Sequence, residues 1–324
     1  LKMDLNKIVI TGGAGFIGSH VYKHFSDRFI NSEIIILDKM TYAADVRNIR
    51  DILENSKHKL MVGNVMCLDA CLKATKDADL VINLAAESHV DNSFDNSIIF
   101  TESNTLGTHT LMEACKRNAV KKIIHVSTDE VYGENVKVAF KEDSALNPTN
   151  PYSASKASAE MIVKSYYKSF KLPVVTVRAN NIYGIRQFPE KIIPRFALRA
   201  LGGLPLQLHG EGDNLRHYLA ASDFAKAIEC LIYKGLVGES YNIASDIELS
   251  NLEMAKLINS IVRPRDEDNI EFIKDRPFND GRYAVDDSKI RSLGWKPARS
   301  VIDDMPEVIN WYRKNRMRFT EVEL

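Results

Sequence analysis

At 324 residues, 45% of them apolar and 27% charged, the chain can bury a core large enough for one large domain or two smaller ones. Its 43 basic residues balance 43 acidic ones, which removes any global electrostatic reason to expect nucleic acid or a membrane surface as a partner. No apolar run is long enough to cross a bilayer. The cysteines Cys67, Cys71, Cys115 and Cys230 form no CxxC pair. Cys67 and Cys71 stand one helical turn apart, a spacing that ordinary thiols share, so no metal is expected. A strand-like segment begins almost at once, with no visible signal peptide, and a reducing, cytoplasmic compartment is the expectation.

In chain order, the apolar runs 7–11, 33–37, 60–62, 80–84, 122–126 and 174–178 predict strands. Helices are predicted between them, at 16–29, 105–117 and 153–170 among others. Near-continuous apolar strands alternating with helices indicate a parallel sheet covered on both faces. Right-handed crossovers then favour a doubly wound, Rossmann-type α/β fold. After about Gly184 the rhythm weakens and Pro189, Pro194, Pro205, Pro264, Pro277, Pro297 and Pro306 punctuate the chain. The expected division is a dinucleotide-binding domain over 1–184 and a smaller mixed α/β substrate lobe over 185–324. Segments around 215–245 are expected to return to the first domain, because 240–243 reads as one more buried strand. The charge-rich run 263–268 is expected to be a solvated loop.

Gly12, Gly15 and Gly18 are spaced GxxGxxG directly after the first strand. The first permits a tight turn, the second lets a pyrophosphate approach the backbone, and the third allows close helix–sheet packing. Asp38 ends the second strand, where an acid holds the adenosine ribose hydroxyls and repels a 2′-phosphate, so NAD is expected rather than NADP.

Tyr152 and Lys156 are four apart, on one face near the start of a predicted helix. A nearby ammonium and a cationic nicotinamide ring lower a phenol's pKa, and Tyr152 is then a base for a sugar hydroxyl. Ser127-Thr128 ends the fifth strand and Asp129-Glu130 follows it. Removing water needs a base for a C–H beside a carbonyl and an acid for the departing hydroxyl, and two carboxyls in different environments can divide those roles. Adjacent residues do not point the same way unless the loop turns. A polar loop capping the next segment accounts for the same residues.

Several runs carry a family resemblance: Thr11-Gly12-Gly13-Ala14-Gly15-Phe16-Ile17-Gly18, Leu84-Ala85-Ala86-Glu87-Ser88-His89-Val90-Asp91, and Ser127-Thr128-Asp129-Glu130-Val131-Tyr132-Gly133. Further on come Tyr152-Ser153-Ala154-Ser155-Lys156, Gln187-Phe188-Pro189-Glu190-Lys191 and Arg276-Pro277-Phe278-Asn279-Asp280. Over nearly its whole length the chain resembles the extended short-chain dehydrogenase/reductase family, and within it the nucleotide-sugar 4,6-dehydratases. The resemblance implies oxidation at sugar C4 with Tyr152 as base, removal of the C5 proton by Glu130, protonation of the departing C6 hydroxyl by Asp129, and reduction at C6 with NAD regenerated. It assigns Thr128 to the C4 oxygen and Lys156 to the nicotinamide ribose.

The same resemblance lines the cofactor with Phe16, Ile17, Asp38, Lys39, Thr41, Asn64, Val65, Leu84, Ala85, Ala86 and Ser103. It turns Ser88, Asn181, Lys191, Gln207, Leu208, Arg216, Asn251, Arg276 and Asn279 toward the nucleotide sugar. Arginine and lysine suit a diphosphate. Many relatives have Asp where Asn64 stands; Asn still accepts and donates there. This chain also reads Arg216-His217-Tyr218-Leu219-Ala220-Ala221 where many relatives have bulkier residues, which could reshape the nucleotide pocket. Arg276-Pro277-Phe278-Asn279-Asp280 and Lys234-Gly235-Leu236-Val237-Gly238 are similar to the plant-type UDP-glucose enzymes of rhamnose synthesis, so UDP-glucose is favoured over dTDP-glucose. A homodimer is implied as well, with Met112, Ala159, Ile162 and Val163 able to form either an apolar pairing face or internal core. The rival readings are a nucleotide-sugar 4-epimerase or decarboxylase, against which the acid pair counts, and a non-catalytic NAD-binding protein.

Overall fold

The computed structural model describes residues 5–134, 138–265, 269–275, 280–322 and 324, the side chains of 51–53 aside. Seven strands form one parallel sheet in the order β10-β6-β5-β4-β1-β2-β3. They are β1 (Lys7–Thr11), β2 (Glu33–Asp38), β3 (His58–Val62), β4 (Leu80–Asn83), β5 (Lys122–Thr128), β6 (Val174–Ala179) and β10 (Ser240–Ile243). The order reverses at β1, which lies between β2 and β4, so a crevice opens beyond the strands' carboxyl ends at that point.

Helices cover both faces. On one, α1 (Phe16–Arg28) and α8 (Ala221–Lys234) pack on a core that includes Ile8, Ile10, Ile36, Ile124 and Phe224. On the other, α2 (Leu68–Thr75), α5 (Gly107–Arg117) and α6 (Pro151–Phe170) bury Val9, Val81, Leu111, Ile123 and Val163. Successive strand residues alternate between these two cores, the reason such strands are apolar throughout. Between β4 and α5 lie α3 (Val90–Asp95), α4 (Ser97–Phe100) and a π-helical turn, Thr101–Leu106.

The second lobe holds β7 (Asn181–Tyr183), α7 (Ile192–Leu201), β8 (Leu206–His209), β9 (Leu215–Ala220), β11 (Glu248–Ser250), α9 (Asn251–Val262), β12 (Ile270–Ile273) and α11 (Val301–Lys314), while α10 (Ser288–Ser292) packs on β10 with Ile290 in the first core. A mixed sheet runs β11-β9-β7, and β12 pairs β8. The segment around 215–245 splits: β9 stays with β7 and β11, while α8 and β10 join the large sheet.

Three boundaries differ from the sequence expectation. The fifth strand runs on to Thr128, because His125 and Ser127 alternate inward with Ile124 and Val126 and the β6 ladder continues to Thr128↔Ala179. The helix expected from Ser153 starts at Pro151, since Asn150 caps it: Asn150 Oδ1 accepts the Ser153 N–H at 2.8 Å and Ser153 Oγ accepts the Asn150 N–H at 3.2 Å. The α-helix expected from Thr105 begins at Gly107, behind the π-turn. Met112, Ala159 and Val163 are fully buried and form core and not a pairing face, while Ile162 is part-exposed and packs against the cluster that holds Met112 and Val163. Cys67 is exposed and Cys71 buried, and among the described residues no cluster of three potential metal ligands occurs. The run 263–268 lies outside the described residues from Asp266 onward.

Candidate active site

The glycine loop is shaped by contacts that only glycine tolerates. Gly12 has φ +68°, and a Cβ there would sit 2.9 Å from the Ala85 backbone. A Cβ on Gly18 would lie 2.1 Å from the Gly12 carbonyl, so this glycine sets how closely α1 approaches the loop. Gly15 meets nothing nearer than 3.4 Å and is the one left open for a ligand to approach the N-terminus of α1.

Asp38, 7% exposed at the end of β2, is held by two backbone N–H groups: Ala14 donates to Oδ2 at 2.9 Å and Met40 to Oδ1 at 2.8 Å. Its carboxylate is thus locked beside the loop before any ligand binds. Lys39, Thr41, Asn64, Val65, Leu84, Ala85, Ala86, Ser103, Phe16 and Ile17 line the same cleft, of about 460 Å³. Asn64 turns its side-chain oxygen onto the Met66 N–H at 3.0 Å.

The opposite wall is built where β5, β6 and α6 meet. Thr128 caps a short 3-10 turn, Asp129–Tyr132, by accepting the Glu130 N–H at 3.3 Å; the turn ends at Gly133, φ +80°. This is the turn that adjacent acids need in order to face one cleft, and Asp129 and Glu130 both line it with Tyr152 and Lys156. Tyr152 sits in the first turn of α6 and lines the cleft beside Thr128.

The two carboxyls occupy different environments. Asp129 is buried; Asn180 donates to its Oδ2 at 2.7 Å and the Thr128 hydroxyl to Oδ1 at 3.2 Å. Burial first, and then the Glu130 charge, push Asp129 up to about 7, against Asn180, Thr128 and Arg216. Glu130 is half-buried, with Asn150 Nδ2 3.5 Å from Oε2. Burial raises it too, against the charges of Lys191 and Arg216 and the Asn150 contact, while Asp280 adds to the rise.

One expectation changes here. Lys156 Nζ donates to the Val126 carbonyl at 2.7 Å, and burial lowers its ammonium to about 8 despite Glu160. Tyr152 is raised by burial, with Glu130 and Asp129 acting in the same direction. The lowered phenol expected from the Tyr/Lys spacing is therefore not produced by the chain's own groups, because desolvation and two acids outweigh the Thr128 side chain that favours the phenolate.

The cleft continues from Ser88, after β4, into the second lobe, where Asn181, Lys191, Gln207, Leu208, Arg216 and Asn251 line it. Lys191 Nζ donates to the Ser88 carbonyl at 2.7 Å, tying the two walls together. Arg216 is fixed with its guanidinium over the Tyr283 ring, 4.7 Å from the centroid, and donates to the Asp280 carbonyl at 2.8 Å. Arg276 and Asn279 lie outside the described residues. Sequence reasoning missed Asn180, Asn150 and Tyr283. Asn180 follows the carboxyl end of β6, the position that gives the only sequence signal for it.

A family model described as GDP-mannose 4,6 dehydratase matches residues 9–307. The dTDP-D-glucose 4,6-dehydratase of Dictyostelium discoideum is 43% identical, over 96% of this chain and 82% of that protein. A trifunctional UDP-glucose 4,6-dehydratase/3,5-epimerase/reductase of Arabidopsis thaliana is also 43% identical, over 95% of this chain; the chain spans only 47% of that longer protein. The crystal structure of the dTDP-glucose 4,6-dehydratase of Streptomyces venezuelae, with NAD bound, superposes with a TM-score of 0.94 at 34% identity, covering 98% of this chain and 100% of that one. With the parallel sheet, the glycine cradle and the acid pair, these matches establish that the chain belongs to the nucleotide-sugar 4,6-dehydratase family of extended short-chain dehydrogenases/reductases.

Proposed function

We propose that this chain uses bound NAD+ to convert a nucleotide-diphosphate glucose into its 4-keto-6-deoxy derivative, with UDP-glucose preferred over dTDP-glucose. The observation that carries the reading is the placement of Asp129 and Glu130, in unlike environments, in the cleft that also holds Tyr152 and the glycine loop. The open Gly15, the N-terminus of α1 and the locked Asp38 carboxylate fit a dinucleotide with an unmodified ribose. Gly12, Gly15, Gly18, Phe16, Ile17, Asp38, Lys39, Thr41, Asn64, Val65, Leu84, Ala85, Ala86 and Ser103 would hold it, with Tyr152 and Lys156 at its reactive end.

NAD+, when bound, supplies a reversible hydride acceptor and a positive ring that favours the Tyr152 phenolate. Tyr152 takes the C4 hydroxyl proton, with Thr128 fixing the oxygen. Glu130, whose charged form Lys191 and Arg216 favour against burial, removes the C5 proton that a C4 ketone acidifies. Asp129, raised to about 7, carries a proton near neutrality and gives it to the departing C6 hydroxyl. The hydride taken from C4 would return to C6, and Glu130, after exchanging its proton with solvent, would reprotonate C5, so the net change is loss of one water.

Lys191 and Arg216 suit the diphosphate, and Ser88, Asn181, Gln207, Leu208 and Asn251 the sugar and base. The uridine preference rests on the likeness of 276–280 and 234–238 to the plant-type enzymes. Relatives acting on either nucleotide are equally similar in identity. One methyl discriminates by only about 1–3 kcal/mol, so the second nucleotide is expected to turn over more slowly and not to be refused. Turnover of each nucleotide-glucose alone and in competition, followed by NMR of the products, tests this. A 4-keto-6-deoxy sugar with uridine ahead supports the reading; a C4 epimer or an unaltered sugar overturns it.

We also extend the reading to a cytoplasmic homodimer. Four free cysteines accord with a reducing compartment. On α6 and the π-turn before α5, Met161 and Leu106 are 50% and 47% exposed and offer apolar surface to a second copy. No helix of the described residues is long and apolar enough to cross a membrane. Light scattering on the purified chain tests the dimer, and a monomer refutes it.

A further inference from the structure

Next to the main cleft lies a separate cavity of about 340 Å³, bounded by the loop after β2, the loop after β7 and a 3-10 turn, Arg316–Phe319, that follows α11. Three arginines from these three segments line it: Arg47, Arg186 and Arg318. Asp45 is the single acid lining it among the described residues. That carboxylate is already taken, because Arg47 donates to both of its oxygens through Nε at 2.9 and 2.8 Å and brings Nη2 to 2.6 Å. Arg318 therefore has Asp45 only at 3.4 Å, and its Nη2 is buried with no hydrogen-bond partner. A buried guanidinium donor left unmade costs the full desolvation of that group. Arg186 donates through Nη1 to the Asn48 carbonyl at 3.0 Å, so the unmade donor belongs to Arg318.

Two further observations agree. Burial lowers the Arg318 pKa, and the charges of Arg47 and Arg186 act in the same direction against Asp45. Of the five non-glycine residues with positive φ among the described residues, two, Met40 and Arg186, border this cavity; Arg186 is at φ +72°. Backbone held in that region persists only where the surroundings over-determine it, and it collects at ligand clamps. The remaining walls include the Phe188 and Phe319 rings.

We propose that this arginine-lined cavity is a second ligand site, distinct from the cofactor–substrate cleft, that binds the phosphate group of a small molecule through Arg318, Arg47 and Arg186. Guanidinium forks match phosphate oxygens in pairs, and such charge-assisted bonds are about twice as strong as neutral ones. The volume exceeds what a bare phosphate fills, and the two phenylalanines give the remainder an apolar character suited to a ring carried on that phosphate. The cavity shares Ala43, Ala44 and Phe188 with the main cleft, so an occupant would lie against the outer side of the cofactor wall.

The test is calorimetric titration of NAD-loaded enzyme, with uridine diphosphate in excess to fill the main cleft, using inorganic phosphate and phenyl phosphate as probes and chloride as control. Saturable binding of phosphate but not chloride is expected. Arg318→Gln should weaken it by at least about tenfold, and Arg318→Lys, which keeps the charge and the packing of the stem, should weaken it less. Asp45→Asn removes the competing carboxylate and should tighten binding. Phenyl phosphate binding more tightly than inorganic phosphate assigns an organic phosphate as the natural ligand; equal binding assigns free phosphate. Absence of binding by either probe, binding that Arg318→Gln leaves unchanged, or an Asp45→Asn protein that binds no better, overturns the proposal and leaves the cluster as a structural tie between the lobes.

Discussion

Asn180 donates a hydrogen bond to Asp129 across 2.7 Å from the end of the neighbouring strand, 51 residues further along the chain. It is the strongest polar restraint on the acid assigned to the departing hydroxyl. Because it stabilises the charged carboxylate, it pulls the group's pKa down against burial and Glu130. Asn180→Ala should therefore raise the Asp129 pKa and move the alkaline limb of kcat to higher pH. Loss of aim at C6 should lower kcat by about tenfold to a hundredfold, with KM little changed. A pH–rate profile of the variant checks both effects.

Asp129 is also expected to govern stability. Its folded pKa is about 7, above the ordinary carboxylate value of 3.8, so the folded state disfavours the charge. The penalty is present in full above about pH 7 and is relieved as pH falls toward about 4. Asp129→Asn should then raise Tm at about pH 8 and leave it nearly unchanged at about pH 4. Thermal melts at the two pH values decide this; a variant that gains equally at both contradicts the burial argument.

Asn150 joins helix formation to catalysis. It caps α6 and also contacts Glu130. Asn150→Ala should cost about 1 kcal/mol of stability through the lost cap. It should also remove a donor that holds Glu130 down, so that the base limb of the rate profile moves to higher pH. Asn150→Asp, which keeps the cap but not the donor, separates the two effects: near-normal Tm with an altered profile.

Gly18→Ala tests the loop. The added Cβ would lie 2.1 Å from the Gly12 carbonyl and 2.6 Å from the Gly13 Cα, both backbone atoms that cannot swing aside. The variant should purify with its bound NAD largely lost and with a lower Tm. Gly15→Ala, meeting nothing closer than 3.4 Å, should fold normally and lose only cofactor affinity.

Much of this was legible in the chain itself. The six apolar runs predicted six strands of the large sheet, and 240–243 the seventh, since buried parallel strands announce themselves by continuous hydrophobicity. Gly12, Gly18, Asp38, Tyr152 and Lys156 were readable because their spacing is local: a turn, a helix start and a four-residue repeat. Arg216 was reached through resemblance alone, since what fixes it, the Asp280 carbonyl, is 64 residues away and no local pattern encodes such a pairing. Asn180 went unseen for the same reason. Met112, Ala159 and Val163 are apolar on a helix, which fits a core or an interface equally; only their burial distinguishes the two. For Tyr152, spacing reveals a neighbouring ammonium but neither the desolvation that raises the phenol nor the Val126 carbonyl that takes the ammonium's hydrogen bond.

Tyr152→Phe should block the chemistry at its start. The loss in kcat is expected at about a thousandfold or more, and no absorbance of reduced cofactor should appear on adding substrate. Appearance of that absorbance at the normal rate would remove Tyr152 from its role.

The account turns on Glu130 and Asp129 dividing the elimination between them, and hydrogen exchange at C5 in heavy water measures this most directly. The unaltered enzyme should give product carrying deuterium at C5. Glu130→Gln should still oxidise C4, seen as reduced cofactor on the enzyme, while C5 keeps its original hydrogen. Deuterium entering C5 at the normal rate in Glu130→Gln would contradict the assignment.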